Sequence, residues 1–127
     1  MKIAIVGLGF RLGYLARVIG REVPDARFVG YVDPTPAGLP YCREHGIDPG
    51  PSFDSIEALV TSGKPDLLMI GSPNHLHLEH IRAGLDLGCK IFTEKPVVTS
   101  EAQTFELLDL LAQHGDPDRV MIGLVLR

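Results

Sequence analysis

Lys95 stands between Glu94 and Pro96, an amine held by an acid on one side and a stiff ring on the other. The proline restrains the backbone on both sides of the bond and so fixes the direction of the lysine side chain. A lysine set beside a cationic nicotinamide ring gives up its proton more readily and can then handle the proton of a substrate hydroxyl. The plainer reading is a solvated Glu–Lys pair in a loop. Asp33 is a second candidate, at the end of the apolar run Arg27–Val32 and just before Pro34. Its carboxylate can accept hydrogen bonds from an adenosine ribose 2′-OH and would repel a 2′-phosphate. No Lys or Arg follows it closely, so NAD is expected rather than NADP, although Arg11 could reach a phosphate. Asp33 also suits a simple turn ahead of Pro34.

Gly7 and Gly9 supply the third element. Gly7 allows a tight turn, and Gly9 lets a pyrophosphate approach without meeting a Cβ. The fingerprint G-x-G-x-x-G/A asks for a small residue at position 12, where the chain has Leu12 followed by Gly13. Either the turn is one residue longer, or the leucine fills the helix–strand contact. His75, His77 and His80 form H-x-H-x-x-H, which invites a metal reading. Only His77 and His80 share a helix face, and no nearby cysteine completes a tetrahedral set, so no metal site is expected. One histidine is placed at a helix start beside a cofactor, and His80 on the surface. Ser72 lacks the G-x-S-x-G setting of a nucleophile.

These residues need a frame, and the hydrophobic pattern supplies one. Lys2–Val6, Arg27–Val32, Asp66–Gly71, Cys89–Thr93 and Arg119–Leu126 read as buried strands. Helical spacing follows the first at Leu12–Ile19, and a short helix is expected around Leu39–His45. Asp54-Ser-Ile-Glu57 and Ser100-Glu-Ala-Gln103 read as capping boxes opening helices to about Ser62 and Gln113. A further helix follows Ser72-Pro73-Asn74 and stops at Gly88. Strands alternating with helices imply right-handed βαβ crossovers, a parallel sheet covered on both faces, and a ligand crevice at the strands' carboxyl ends. Every unusual polar residue falls at such an end. The expected class is α/β, a doubly wound, mostly parallel Rossmann sheet, with residues 1–127 as one dinucleotide-binding domain.

At 127 residues, the chain carries 12 Lys and Arg against 16 Asp and Glu, a net charge of −4. Without clustered cations, nucleic acid is not an expected partner. No apolar run reaches the ~20 residues of a membrane span, and no signal-peptide cleavage pattern follows Lys2, so a cytoplasmic protein is expected. Cys42 and Cys89 fit no metal or redox spacing and read as reduced thiols.

Taken together, Gly7-Leu-Gly9, Asp33-Pro34, Ser72-Pro-Asn-His-Leu-His77, Gly88 and Glu94-Lys-Pro96 resemble the N-terminal domain of the Gfo/Idh/MocA oxidoreductases. The resemblance covers essentially the whole chain. It implies a Rossmann domain that would be followed, in a complete enzyme, by an α+β substrate domain absent here. It implies that Gly7, Gly9, Phe10, Arg11 and Leu12 line the pyrophosphate and that Asp33 holds the adenosine ribose. Ser72, Pro73, Asn74 and His77 would border the dinucleotide, Glu94 the nicotinamide ribose, and Lys95 the nicotinamide and the substrate hydroxyl. The family's second domain carries a histidine that acts as general base with the lysine. The implied enzyme is an NAD-dependent dehydrogenase of a sugar, polyol or related secondary alcohol, homo-oligomeric when full length.

The chain stops at Val125-Leu126-Arg127 in mid-strand pattern, as a domain trimmed from a two-domain enzyme would, and is expected to be inactive alone. The rival reading is a non-catalytic NAD(H)-sensing module. A methyltransferase using the same glycine turn leaves Glu94-Lys95-Pro96 unexplained.

Overall fold

The computed structural model of the protein describes residues 1–124. Five strands form one sheet in the order β2-β1-β3-β4-β5, with β1 Lys2–Val6, β2 Arg27–Val32, β3 Leu67–Ile70, β4 Lys90–Glu94 and β5 Val120–Gly123. Every neighbouring pair is parallel, so all five carboxyl ends share one edge. The helices between them are α1 Phe10–Glu22, α2 Leu39–Glu44, α3 Ile56–Gly63, α4 His77–Asp86 and α5 Glu101–His114. The expected doubly wound α/β fold is observed. β5 is shorter than its predicted span, and positions 125 and 126 of that span lie outside the described residues.

The continuous apolar runs of the strands arise because the sheet has two interiors. In β1, Ile3 and Ile5 face a core shared with Leu12 and Ala16 of α1 and Cys42 of α2. Ala4 and Val6 point the other way, into a core with Leu59 of α3 and Leu78, Ile81 and Leu85 of α4. Period-two alternation therefore puts an apolar residue on each face, with no polar side for solvent. Each fully buried Ile or Leu contributes about 1.5–3 kcal/mol.

The helix caps differ in a way that matters for the site. α3 is capped by Ser55, whose hydroxyl accepts from the Ala58 N–H at 3.1 Å. The expected cap at Asp54 is thus one residue early: Ser55 takes the extended backbone of an N-cap and its hydroxyl makes the capping bond. α5 is capped by Ser100, which accepts from Gln103 N–H at 3.2 Å. The Gln103 side chain returns to the Thr99 N–H at 2.8 Å rather than to the cap residue's own amide. α1 has Gly9 at its N-cap and no side-chain cap at all.

Candidate functional site

The strand order places Asp33 after β2, the glycine turn after β1, Ser72 after β3 and Glu94-Lys95 at the end of β4. From β2 to β4 is three inter-strand steps, roughly 14 Å. Between the ends of β2, β1 and β3 lies a crevice of about 380 Å³, lined among others by Gly7, Gly9, Asp33, Ser72, Leu76 and His80.

The two glycines of the turn differ. Gly7 sits at φ +83°, and a Cβ there would come within 2.4 Å of the Ser72 nitrogen. The fold itself therefore requires glycine, because β1 and β3 meet backbone to backbone at this point. At Gly9, φ is −83° and a Cβ would meet nothing within 4 Å. Neither backbone nor packing demands glycine there. The open space lies against the crevice and the uncapped start of α1, whose first N–H groups have no intrahelical partner and whose dipole favours an anion. A Cβ on residue 9 would project into this open space beside the helix start.

The loop after β2 closes over this turn. Gly38 N–H donates to Leu8 C=O at 2.8 Å, and a Cβ on Gly38 would lie 2.3 Å from the Gly9 carbonyl oxygen. Sequence reasoning did not single out Gly38; the only signal for it was the density of Gly and Pro between β2 and α2. Asp33 takes the Thr35 N–H on Oδ1 at 2.8 Å. It is thus a turn former as well as a crevice residue, and that bond orients the carboxylate while leaving Oδ2 available.

Leu12 does not line the crevice. It is 1% exposed, in the core beneath Gly71, where a Cβ would collide with its Cδ1 at 2.7 Å. Gly13, at the next position, packs instead against α2, its missing Cβ lying 3.3 Å from Gly38 C=O and 3.5 Å from Cys42 Sγ. The altered fingerprint is therefore a leucine filling the helix–strand contact, with the small residue moved to a helix–loop contact. Phe10 opens α1 with 69% of its surface exposed and does not line the crevice either. Arg11 Nε donates to Glu94 Oε1 at 3.1 Å, tying the first turn of α1 to the end of β4. Glu94 is buried as the last residue of β4, and Arg11 is half-exposed, so this cation supplies the charge that a buried carboxylate requires.

The three histidines separate. His75 is exposed in a short 3₁₀ turn covering Asn74–Leu76. His77 is 1% exposed, and its Nδ1 and Nε2 meet the carbonyl oxygens of Pro96 (2.7 Å) and Ser72 (2.8 Å). It straps the turn after β3 to the turn after β4 and does not reach the crevice wall. His80 corrects the surface assignment: it is half-buried, lines the crevice and bonds Ser72 Oγ through Nδ1 at 2.8 Å. Burial pushes its imidazole below the ordinary value of 6.5; Glu79 raises it and His77 lowers it to smaller extents. Helical periodicity could have paired His80 with Leu76, one turn away, but could not tell which wall that face would meet. Pro73 lines the crevice, whereas Asn74 and Lys95 are exposed and are not among its lining residues. Among the described residues, no three His, Cys, Asp or Glu side chains converge as a metal site would require.

Residues 1–123 match GFO_IDH_MocA, an oxidoreductase family with an NAD-binding Rossmann fold. The chain belongs to this family. It is 34% identical over 113 residues to a protein named as a UDP-kanosamine synthase oxidoreductase subunit from Amycolatopsis mediterranei, covering 88% of this chain and 29% of that protein. It is 33% identical over 63 residues to D-glucoside 3-dehydrogenase of Escherichia coli, covering 50% of this chain and 18% of the enzyme. Scyllo-inositol dehydrogenase from Lactobacillus casei, solved with NAD(H) and scyllo-inositol, superposes with a TM-score of 0.77 at 29% identity, covering 97% of this chain and 36% of the other. The Gfo/Idh/MocA chain described here thus spans about a third or less of these relatives. Among the described residues, no helix is long and apolar enough to cross a membrane.

Proposed function

We propose that this chain is the dinucleotide-holding part of a longer oxidoreductase that moves a hydride between a nicotinamide cofactor and a secondary alcohol of a sugar or polyol. One observation carries the reading: Gly9 is a glycine that neither the backbone nor the packing requires, open to a crevice at an uncapped helix start. Gly7, Gly9 and the first N–H groups of α1 hold the pyrophosphate, with Arg11 adding a charge. Asp33 Oδ2 accepts from the adenosine ribose, and its negative charge favours NAD over NADP. Ser72 and Pro73 border the dinucleotide from β3, with Asn74 beside them, and Glu94 serves the second ribose.

A bound nicotinamide supplies the hydride acceptor or donor. Lys95, exposed beyond β4, orients the substrate hydroxyl and eases loss of its proton. His77 holds the segment around Lys95 by its bond to the Pro96 carbonyl. The sugar and polyol reading is supported by the relatives, which are named for glucoside and inositol dehydrogenation.

Isothermal titration of the chain with NADH, NADPH and S-adenosylmethionine tests the binding part. NADH is expected to bind, NADPH at least several-fold more weakly, and S-adenosylmethionine not at all. No binding of either nicotinamide dinucleotide overturns the proposal. In the complete enzyme, Lys95→Ala should reduce turnover far more than cofactor affinity; an unchanged rate would remove Lys95 from the chemistry.

A further inference from the structure

We infer that His80 reads the purine base of the dinucleotide, hydrogen-bonding it through Nε2 while Ser72 holds the opposite ring nitrogen. The inference rests on the dinucleotide reading above and assigns a side chain to a part of the ligand that the glycine turn and Asp33 leave unattended. With the pyrophosphate at the start of α1 and the ribose at Asp33, the base continues into the remaining space between the loop after β2 and the segment after β3. That space is walled by Val32 and Pro34 on one side and by Pro73, Leu76 and His80 on the other. A largely apolar slot with a few placed polar groups suits a flat heteroaromatic ring.

On the β3 wall, Ser72 Oγ is already engaged, and Pro73 and Leu76 offer no polar side-chain atom. His80 Nε2 has no partner among the described residues, and no buried side-chain nitrogen there lacks a partner, so Nε2 is solvent-accessible on a side chain that lines the crevice. The ring is not free to turn away, because Nδ1 is tied to the nearly buried Ser72 hydroxyl. Burial disfavours the charged imidazole, and the neutral ring carries one donor nitrogen and one acceptor nitrogen. If Ser72 donates to Nδ1, Nε2–H faces the crevice as a donor; if Ser72 accepts, Nε2 faces it as an acceptor. Adenine answers both, with ring nitrogens that accept and an exocyclic amine that donates. A neutral wall also avoids placing a cation beside Asp33, whose charge is needed at the ribose.

The test uses this chain with NADH, AMP and nicotinamide mononucleotide as separate probes. A buried neutral hydrogen bond of the usual net strength predicts that His80→Leu weakens both NADH and AMP about 3–10-fold. Nicotinamide mononucleotide, which lacks the adenosine, should bind the variant as it binds the wild type. His80→Gln, which can place an amide near the Nε2 position, should recover most of the AMP affinity. In the wild-type chain, saturating AMP should shift the His80 ring nitrogen resonances. Equal AMP affinity of wild type and His80→Leu overturns the inference while leaving the dinucleotide proposal intact, as does loss confined to nicotinamide mononucleotide. An unshifted His80 ring under saturating AMP does the same, independently of how the variants fold. Failure of the wild type to bind either nicotinamide dinucleotide overturns both proposals; NADH binding without AMP binding overturns this inference alone.

Discussion

The two glycines of the first turn should fail in different ways when replaced by alanine. At Gly7, an alanine must adopt φ near +83° and place its Cβ 2.4 Å from the Ser72 nitrogen and 2.6 Å from the Gly71 carbonyl carbon. The left-handed backbone costs roughly 1–2 kcal/mol. Forcing apart two strands that meet backbone to backbone adds roughly 1–3 kcal/mol. Gly7→Ala should therefore lose about 2–5 kcal/mol. At Gly9 the same methyl meets nothing within 4 Å, on a backbone at φ −83°. Stiffening the unfolded chain stabilises by about 0.4–1 kcal/mol, and alanine is a poorer N-cap than glycine by a similar amount. The two effects offset, and Gly9→Ala should stay within about 1 kcal/mol of wild type. Its methyl nevertheless enters the open space where the proposed phosphate would meet the N–H groups of α1. Losing one or two hydrogen bonds to a charged ligand costs about 1.5–3 kcal/mol, or roughly 10–150-fold in NADH affinity. Urea unfolding and calorimetric titration of both variants separate these outcomes. The reasoning is refuted if Gly9→Ala binds NADH as the wild type does, or if it is as destabilised as Gly7→Ala.

Arg11→Ala removes the partner of the buried Glu94 carboxylate; because Arg11 is half-exposed, the loss should be only about 1 kcal/mol, seen as a melting temperature lower by about 3–5 °C. An unchanged melting temperature would show that solvent already satisfies Glu94. Asp33→Asn removes the crevice charge proposed to meet the ribose, and its NADPH to NADH affinity ratio should rise several-fold in fluorescence titration; an unaltered ratio would take Asp33 out of cofactor selection. For His80, the folded chain refuses a proton that the unfolded chain accepts near 6.5. The unfolded state then binds more protons, so stability must fall as pH drops through that value. The melting temperature should decline between pH 7.5 and 5.5, and less steeply in His80→Leu; parallel slopes would refute the cause. Cys42 and Cys89 are buried with their thiols pushed up by burial, partly countered at Cys89 by Arg119. Both should resist iodoacetamide at pH 8 until denaturant is added, as mass spectrometry would show.

Much of this molecule is written locally. Lys2–Val6 and Leu67–Ile70 are strands because β-branched and long apolar side chains fill both neighbours of every position, and such runs fit only a sheet covered on two faces. The S-P-N-H-L-H and E-K-P segments, with Gly7 and Gly9, announce the family from residue type and spacing alone. What the sequence could not say is which way a residue turns once neighbours distant in the chain arrive. Leu12 occupies a fingerprint position, yet it is core, because Gly71 after β3 leaves room for it. His77 and His80 sit on one helix three residues apart and look interchangeable in one dimension. One is sealed between the carbonyls of Ser72 and Pro96, and the other opens onto the crevice opposite Asp33. The Arg11–Glu94 pair spans 83 residues, and no local pattern encodes a contact made by parallel crossovers. Periodicity fixes which side of an element is apolar; only the packing of β2, β1, β3 and β4 into one sheet decides which polar groups come together at its carboxyl edge.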